Sequence, residues 1–145
     1  SHKTAMAIRE LRASLEEDPT DPQTHLWLGE AYRRKRENEQ ARESFEKAAT
    51  LAAQREEIQV EQDARLNLSG LLSQMGRHEE ALPHCEALAT DPTFTSPWRP
   101  LTNCAWALIQ LGRYDEARTR LSQAIEFFPE GRLRLDQGRI LVIRE

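Results

Sequence analysis

The chain has 145 residues, a formal net charge of −4 and 30% charged residues of both signs, enough for about one domain with a mixed surface and no basic field for nucleic acid. No apolar run approaches the roughly 18 to 20 residues that a membrane span needs. Two cysteines, Cys85 and Cys104, are too few for a disulfide framework and lack metal spacing.

The N-terminus, SHKTAMAIRE, carries no charged-then-apolar-then-small pattern of a secretory signal. Either the protein works inside the cell or a targeting segment has been removed, and the opening Ser1-His2 keeps the second option open. The next stretch, MAIRELRASLEEDP, sets Ala7, Leu11 and Pro19 at the spacing of a helix closed by proline. A helix that is half of a two-helix unit is predicted over residues 3–19.

Three segments then share one frame: LWLGEAYRRKRENEQARESFEKA from Leu26, LNLSGLLSQMGRHEEALPHCEAL from Leu66, and TNCAWALIQLGRYDEARTRLSQA from Thr102. Each has an apolar-small-x-x-apolar turn of helix, a break, and then an alanine followed by a bulky or core-type residue. Small residues at Gly29, Ser69, Ala105, Ala41, Ala81 and Ala117 let two helices approach, and bulky neighbours fill the gap. Each unit reads as a helical hairpin, over residues 22–55, 60–92 and 97–129. From Ala41 to Ala81 the interval is longer than from Ala81 to Ala117, and neither Gly nor Pro occurs between Asn38 and Ser69. The extra residues are expected to lengthen helices, with a turn somewhere between Ala53 and Gln59. The densest basic cluster, Arg33-Arg34-Lys35-Arg36, is followed at once by Glu37 and Glu39 and reads as a solvated helix end.

Prolines punctuate the second half. Pro83 falls beyond the first turn of a helix begun near His78, so a kink or a late start is expected there. In DPTFTSPWRPLTN, Pro92 stops one helix, Ser96 can cap the next with Pro97 at its first position, and Pro100 still lies among the unpaired donors. Phe94 and Trp98 are not explained by that joint. The closing stretch, GRLRLDQGRILVIRE, has apolar spacing compatible with a terminal helix over residues 132–144, which would cap the stack.

The frame resembles the tetratricopeptide repeat, whose W-x2-L-G-x2-Y…A-x3-F…P pattern is matched at Leu28, Gly29, Tyr32, Ala41 and Phe45. The resemblance implies an all-α superhelix of about eight antiparallel helices: three full repeats with half-repeats at both ends. Leu66 to Pro129 is similar to the type IV pilus biogenesis lipoproteins of the PilF, PilW and Tgl group. The matching residues are Asn67, Gly70, Leu72, Gly76, Glu79, Glu80, Ala81, Asp91, Pro92, Phe94, Pro97, Asn103 and Ala105. That resemblance covers under half of the chain and implies an outer-membrane-anchored, periplasmic protein that assists assembly of the secretin pore. No lipid-acceptor cysteine stands near the N-terminus.

In such a stack the first helix of each repeat faces a concave groove. Counting from Pro22, Gln62 and Trp98, the facing positions give Leu26, Glu30 and Arg33; Leu66, Gly70 and Ser73; and Thr102, Trp106 and Ile109, flanked by Gln23, Asp63, Arg99 and Gln110. Apolar anchors in a polar rim suit a protein or peptide partner laid in the groove. Trp106 is the strongest anchor, while neighbouring helices could equally cover Leu26 and Leu66. A clamp for a C-terminal carboxylate is argued against by Leu26 and Glu30, since of its positions only Asn67 and Arg99 suit an anion.

No cofactor, metal or catalytic set is expected. His25, His78 and His84 fall at unrelated places of the frame, and no Gly-rich phosphate loop occurs. Cys85 and Cys104 sit at packing positions on neighbouring helices, where buried thiols are the usual state and a disulfide is the alternative. The expected function is a non-catalytic scaffold or assembly factor, in its most specific form for the type IV pilus secretin. The alternative is an intracellular regulatory adaptor. The expected location is periplasmic in the first case and cytoplasmic in the second.

Overall fold

The computed structural model describes residues 1–128, 131–136 and 139–143. Among these, seven helices follow one another: α1 (His2–Glu17), α2 (Pro22–Arg34), α3 (Asn38–Gln54), α4 (Ile58–Gln74), α5 (His78–Ala89), α6 (Trp98–Gln110) and α7 (Tyr114–Ile125). Two strands close the chain, β1 (Arg132–Asp136) and β2 (Arg139–Ile143). The chain divides into two compact units, residues 1–68 and 69–145.

In the first unit α1 packs on α2 and α2 on α3. The shared frame explains the fit. Gly29 of α2 lies against the ring of Phe45 of α3, where an added Cβ would stand 2.6 Å from Cδ1. Phe45 itself is fully buried, as are Ala41, Ala48, Ala52, Ala64 and Leu68. The small residue thus admits an aromatic ring, and the predicted pairing of small and bulky side chains takes this form. Tyr32 extends the seam toward α1, its hydroxyl accepting a hydrogen bond from Arg12.

Four interhelical turns use one device. Arg36, Glu56, Gly76 and Gly112 all have φ between 58° and 78°, the left-handed conformation that ends a helix. Each is followed by an amide that reaches back five residues, as in Glu37 N–H to the Tyr32 carbonyl at 3.0 Å and Arg77 N–H to the Leu72 carbonyl at 2.8 Å. The turn expected between Ala53 and Gln59 falls at Arg55 to Glu57, and α3 and α4 are both 17 residues long. The longer first interval is therefore taken up by helix, as Ala-, Glu- and Gln-rich sequence favours.

In the second unit α5 packs on α6 and α6 on α7, around Leu82, Cys85, Cys104, Ala107, Leu108 and Ala117. α5 runs from His78 through Pro83 with no late start. Pro83 is exposed, so the carbonyl it leaves unpaired can face water. α6 begins at Trp98, one residue later than expected, with Pro97 as its cap and Pro100 buried in its first turn. Asp91 Oδ1 accepts from the Thr93 amide at 2.9 Å and its hydroxyl at 2.7 Å, tying the turn before α6. Trp98 is accounted for by packing: its ring meets Phe128 edge-on at 4.9 Å and Phe127 at 5.8 Å.

Two expectations are corrected here. The terminal helix over residues 132–144 is an antiparallel hairpin, with Arg132 opposite Ile143 and Arg134 opposite Leu141. The stretch from Arg132 to Asp136 alternates charged and apolar residues with period two, and β2 carries β-branched residues at Ile140, Val142 and Ile143, so strand formation wins over the helical spacing read from the same short run. β2 packs on α6, and Ile140 is buried. Pro129 and Glu130, at the predicted end of the third repeat, lie outside the described residues. The second correction concerns the cysteines. Cys85 and Cys104 are joined by a disulfide with a Cα–Cα separation of 5.6 Å, because α5 and α6 bring both thiols to one fully buried point of the core.

Candidate partner-binding faces

The predicted partner-contacting residues divide between the two units. In the first unit, Glu30 and Arg33 are half-buried on α2 and Leu66 is half-buried on α4. Leu26 is 3% exposed and belongs to the core, which removes it as an exposed anchor. Arg33 Nη1 donates to Asn67 Oδ1 at 3.4 Å, linking α2 to α4. Asn67 in turn donates from Nδ2 to the Asp63 carbonyl at 2.8 Å, and Gln59 Nε2 donates to Asp63 Oδ1 at 3.1 Å. Burial pushes the Glu30 carboxyl above its ordinary range, with Arg34 opposing and the like charge of Asp63 adding to the rise.

Trp27, absent from the predicted set, is 51% exposed on α2. Gln23, Trp27, Glu30 and Arg34 follow each other at helical spacing and so share one side of α2. That stripe was available in the sequence. The expected anchor was instead Leu26, the chain neighbour of Trp27.

In the second unit, Arg99, Trp106 and Gln110 recur at helical spacing along α6, with Arg99 and Gln110 exposed and Trp106 half-buried. Asn103 lies on the same side and donates from Nδ2 to Ser69 Oγ at 3.3 Å. Thr102 is 4% exposed, its hydroxyl donating to the Arg99 carbonyl at 3.0 Å; as an i−3 bond within its own helix, this turns it away from any partner. Ile109 packs against the core around the disulfide. The Ser73 hydroxyl is buried without a hydrogen-bond partner, while the residue as a whole is half-buried. What remains on this face is an aromatic flanked by Arg99, Asn103 and Gln110, a set suited to a peptide backbone and one large apolar contact.

Among the described residues no three His, Cys, Asp or Glu side chains converge as metal ligands. No helix of the described chain is long and apolar enough to cross a membrane.

Comparison with known proteins places this geometry. A comparison with curated protein sequences finds no match. Among solved structures, a MamA protein is 25% identical with a TM-score of 0.73, over 85% of this chain and 63% of that one. PilF of Pseudomonas aeruginosa is 22% identical with a TM-score of 0.73, over 86% of this chain and 54% of that one. PilW, a type IV pilus biogenesis factor, is 20% identical with a TM-score of 0.71, over 87% of this chain and 55% of that one. The chain thus spans less than two thirds of the length of these three. Family models described as tetratricopeptide repeat match residues 1–56 and residues 72–135. With the Gly29–Phe45 seam and the four like turns, these matches show that the chain belongs to the tetratricopeptide repeat family, a fold that generally binds proteins and does not catalyse.

Proposed function

We propose that this protein is an assembly factor for the type IV pilus secretin, working in the periplasm and binding a segment of its client on the exposed first-helix residues. The observation that carries the reading is the α6 face, where Trp106 stands at helical spacing with Arg99, Asn103 and Gln110. Tryptophan and arginine are the side chains that most often dominate binding energy. The likeness to PilF and PilW supports the pilus assignment. The Cys85–Cys104 disulfide supports an oxidising compartment, since such bonds persist outside the cytosol.

The test is capture of purified secretin subunit by the immobilised protein. The wild type is expected to retain the subunit, and Trp106→Ala to weaken retention by about ten-fold or more, as loss of a hot-spot residue does. Trp106→Ala should keep its helical circular dichroism, since the residue is half-buried. Equal retention by both proteins overturns the face, and no retention by either overturns the pilus reading.

A further inference from the structure

Glu30 of α2 is half-buried, and among the described residues no hydrogen bond or ion pair reaches its carboxylate. Arg34, one turn further along α2, favours the charged form from beyond ion-pair distance. Asp63 of α4 is near enough to act on Glu30 as a like charge. Asp63 is itself half-buried and takes its side-chain hydrogen bond from the neutral Gln59 amide, so it too has no ion pair among the described residues. One turn further on, the Arg33–Asn67 hydrogen bond ties α2 to α4 and holds the two carboxylates together across the helices. Burial and mutual repulsion both work against two charges placed in this way, and a cation brought by a partner offsets both.

Trp27 precedes Glu30 by one turn on the same side of α2 and is 51% exposed. An exposed tryptophan alone is ordinary on a protein surface. Beside two carboxylates that lack a cation of their own, its ring supplies the remaining part of a cation site, because the face of an indole attracts positive charge. The donors do not make up a metal set. Arginine fits them better than lysine: its guanidinium is planar and weakly hydrated, so it stacks on an indole and hydrogen-bonds a carboxylate at its edge together.

We propose that Trp27, Glu30 and Asp63 form a second docking site, which takes an arginine side chain of a partner protein, the guanidinium stacked on the Trp27 ring and donating to the Glu30 carboxylate. Asp63 adds attraction from α4. Arg33 and Arg34 at the end of α2 repel further cations, so the partner segment carries a single arginine and not a basic run. The site rests on the protein-binding role of the fold and not on the pilus reading.

The test is titration of the full chain with the acetylated and amidated peptide Gly-Ser-Arg-Ser-Gly, and with the same peptide holding citrulline or lysine in place of arginine. The readouts are the Glu30 amide shift and the Trp27 indole N–H shift. Saturable shifts are expected with arginine. Citrulline, which keeps the shape and loses the charge, should bind about ten-fold more weakly, and lysine more weakly than arginine. Trp27→Ala and Glu30→Gln should each weaken arginine binding by about five-fold or more while helical circular dichroism is kept. Glu30→Gln removes a charge with little change of shape and is expected to hold its thermal midpoint, so its loss of binding would not reflect unfolding. Absence of saturable shifts, or undiminished binding in both variants, overturns the site. Equal binding of the citrulline peptide overturns the role of charge, and equal binding of the lysine peptide overturns the stacked guanidinium. Secretin retention does not enter this readout, so the two proposals fail independently.

Discussion

Gly29 and Phe45 show how much depends on one missing methyl group. An added Cβ would come within 2.7 Å of two ring carbons of a fully buried phenylalanine, so the ring would have to shift within the packed core. Gly29→Ala is therefore expected to destabilise the protein by about 1–3 kcal/mol despite the better helix propensity of alanine, as measured by urea unfolding; unchanged stability would contradict the packing. Glu30 offers a second test with a defined sign. Burial raises its folded-state pKa, so the folded state holds the proton more tightly and the charged form costs stability. Its contribution is most favourable below the unfolded pKa and is lost as pH rises through the folded value. Glu30→Gln should equal or exceed the wild type in thermal midpoint at pH 7, and that advantage should shrink toward pH 4. A lower midpoint at pH 7 would mean that the carboxylate is stabilised by partners.

At the scale of elements, the turns and the disulfide decide how the helices are tied. Gly76 and Gly112 adopt the left-handed conformation freely, whereas Arg36 and Glu56 adopt it with a Cβ, at a cost of roughly 1–2 kcal/mol for an L-residue. Replacing Glu56 by glycine is expected to raise stability by about 0.5–1 kcal/mol, less than the full cost because glycine also gains freedom in the unfolded chain. A loss in urea unfolding would show that the Glu56 side chain does more than tolerate the turn. The α5–α6 bond closes a loop with a sequence separation of 19, for which chain-entropy reasoning gives a stabilisation of about 3 kcal/mol. Cys104→Ser is expected to lower unfolding free energy by that order, with the greatest loss of amide-exchange protection in α5 and α6. Mass spectrometry should find two additional hydrogens on reduction of the wild type; an unchanged mass would show that the bond does not form.

For the whole molecule, the repeat was legible because it is written in local terms. Alanine and glycine at matching places, the turn glycines and the helical spacing of leucines each act within one hairpin, so the succession of helical hairpins follows from the sequence. The C-terminal hairpin was not legible in this way. Its short apolar runs satisfy both periods, and the balance is tipped by packing of β2 on α6 and burial of Ile140. Ile140→Ala should accordingly cost about 2 kcal/mol or more in thermal or urea unfolding, while a residue in an unpacked tail would cost nothing.

The same division runs through the candidate faces. Sequence by itself determined the helical pairs, the family, and the placement of Trp106 with Arg99 and Gln110 along one helix, because these depend on spacing within an element. Only tertiary structure decided that Leu26 and Thr102 turn inward, that Trp27 stays out in solvent, and that two thiols meet as a bond. Each of those outcomes is set by what a neighbouring element covers, and a linear pattern does not encode which neighbour arrives or how closely it packs.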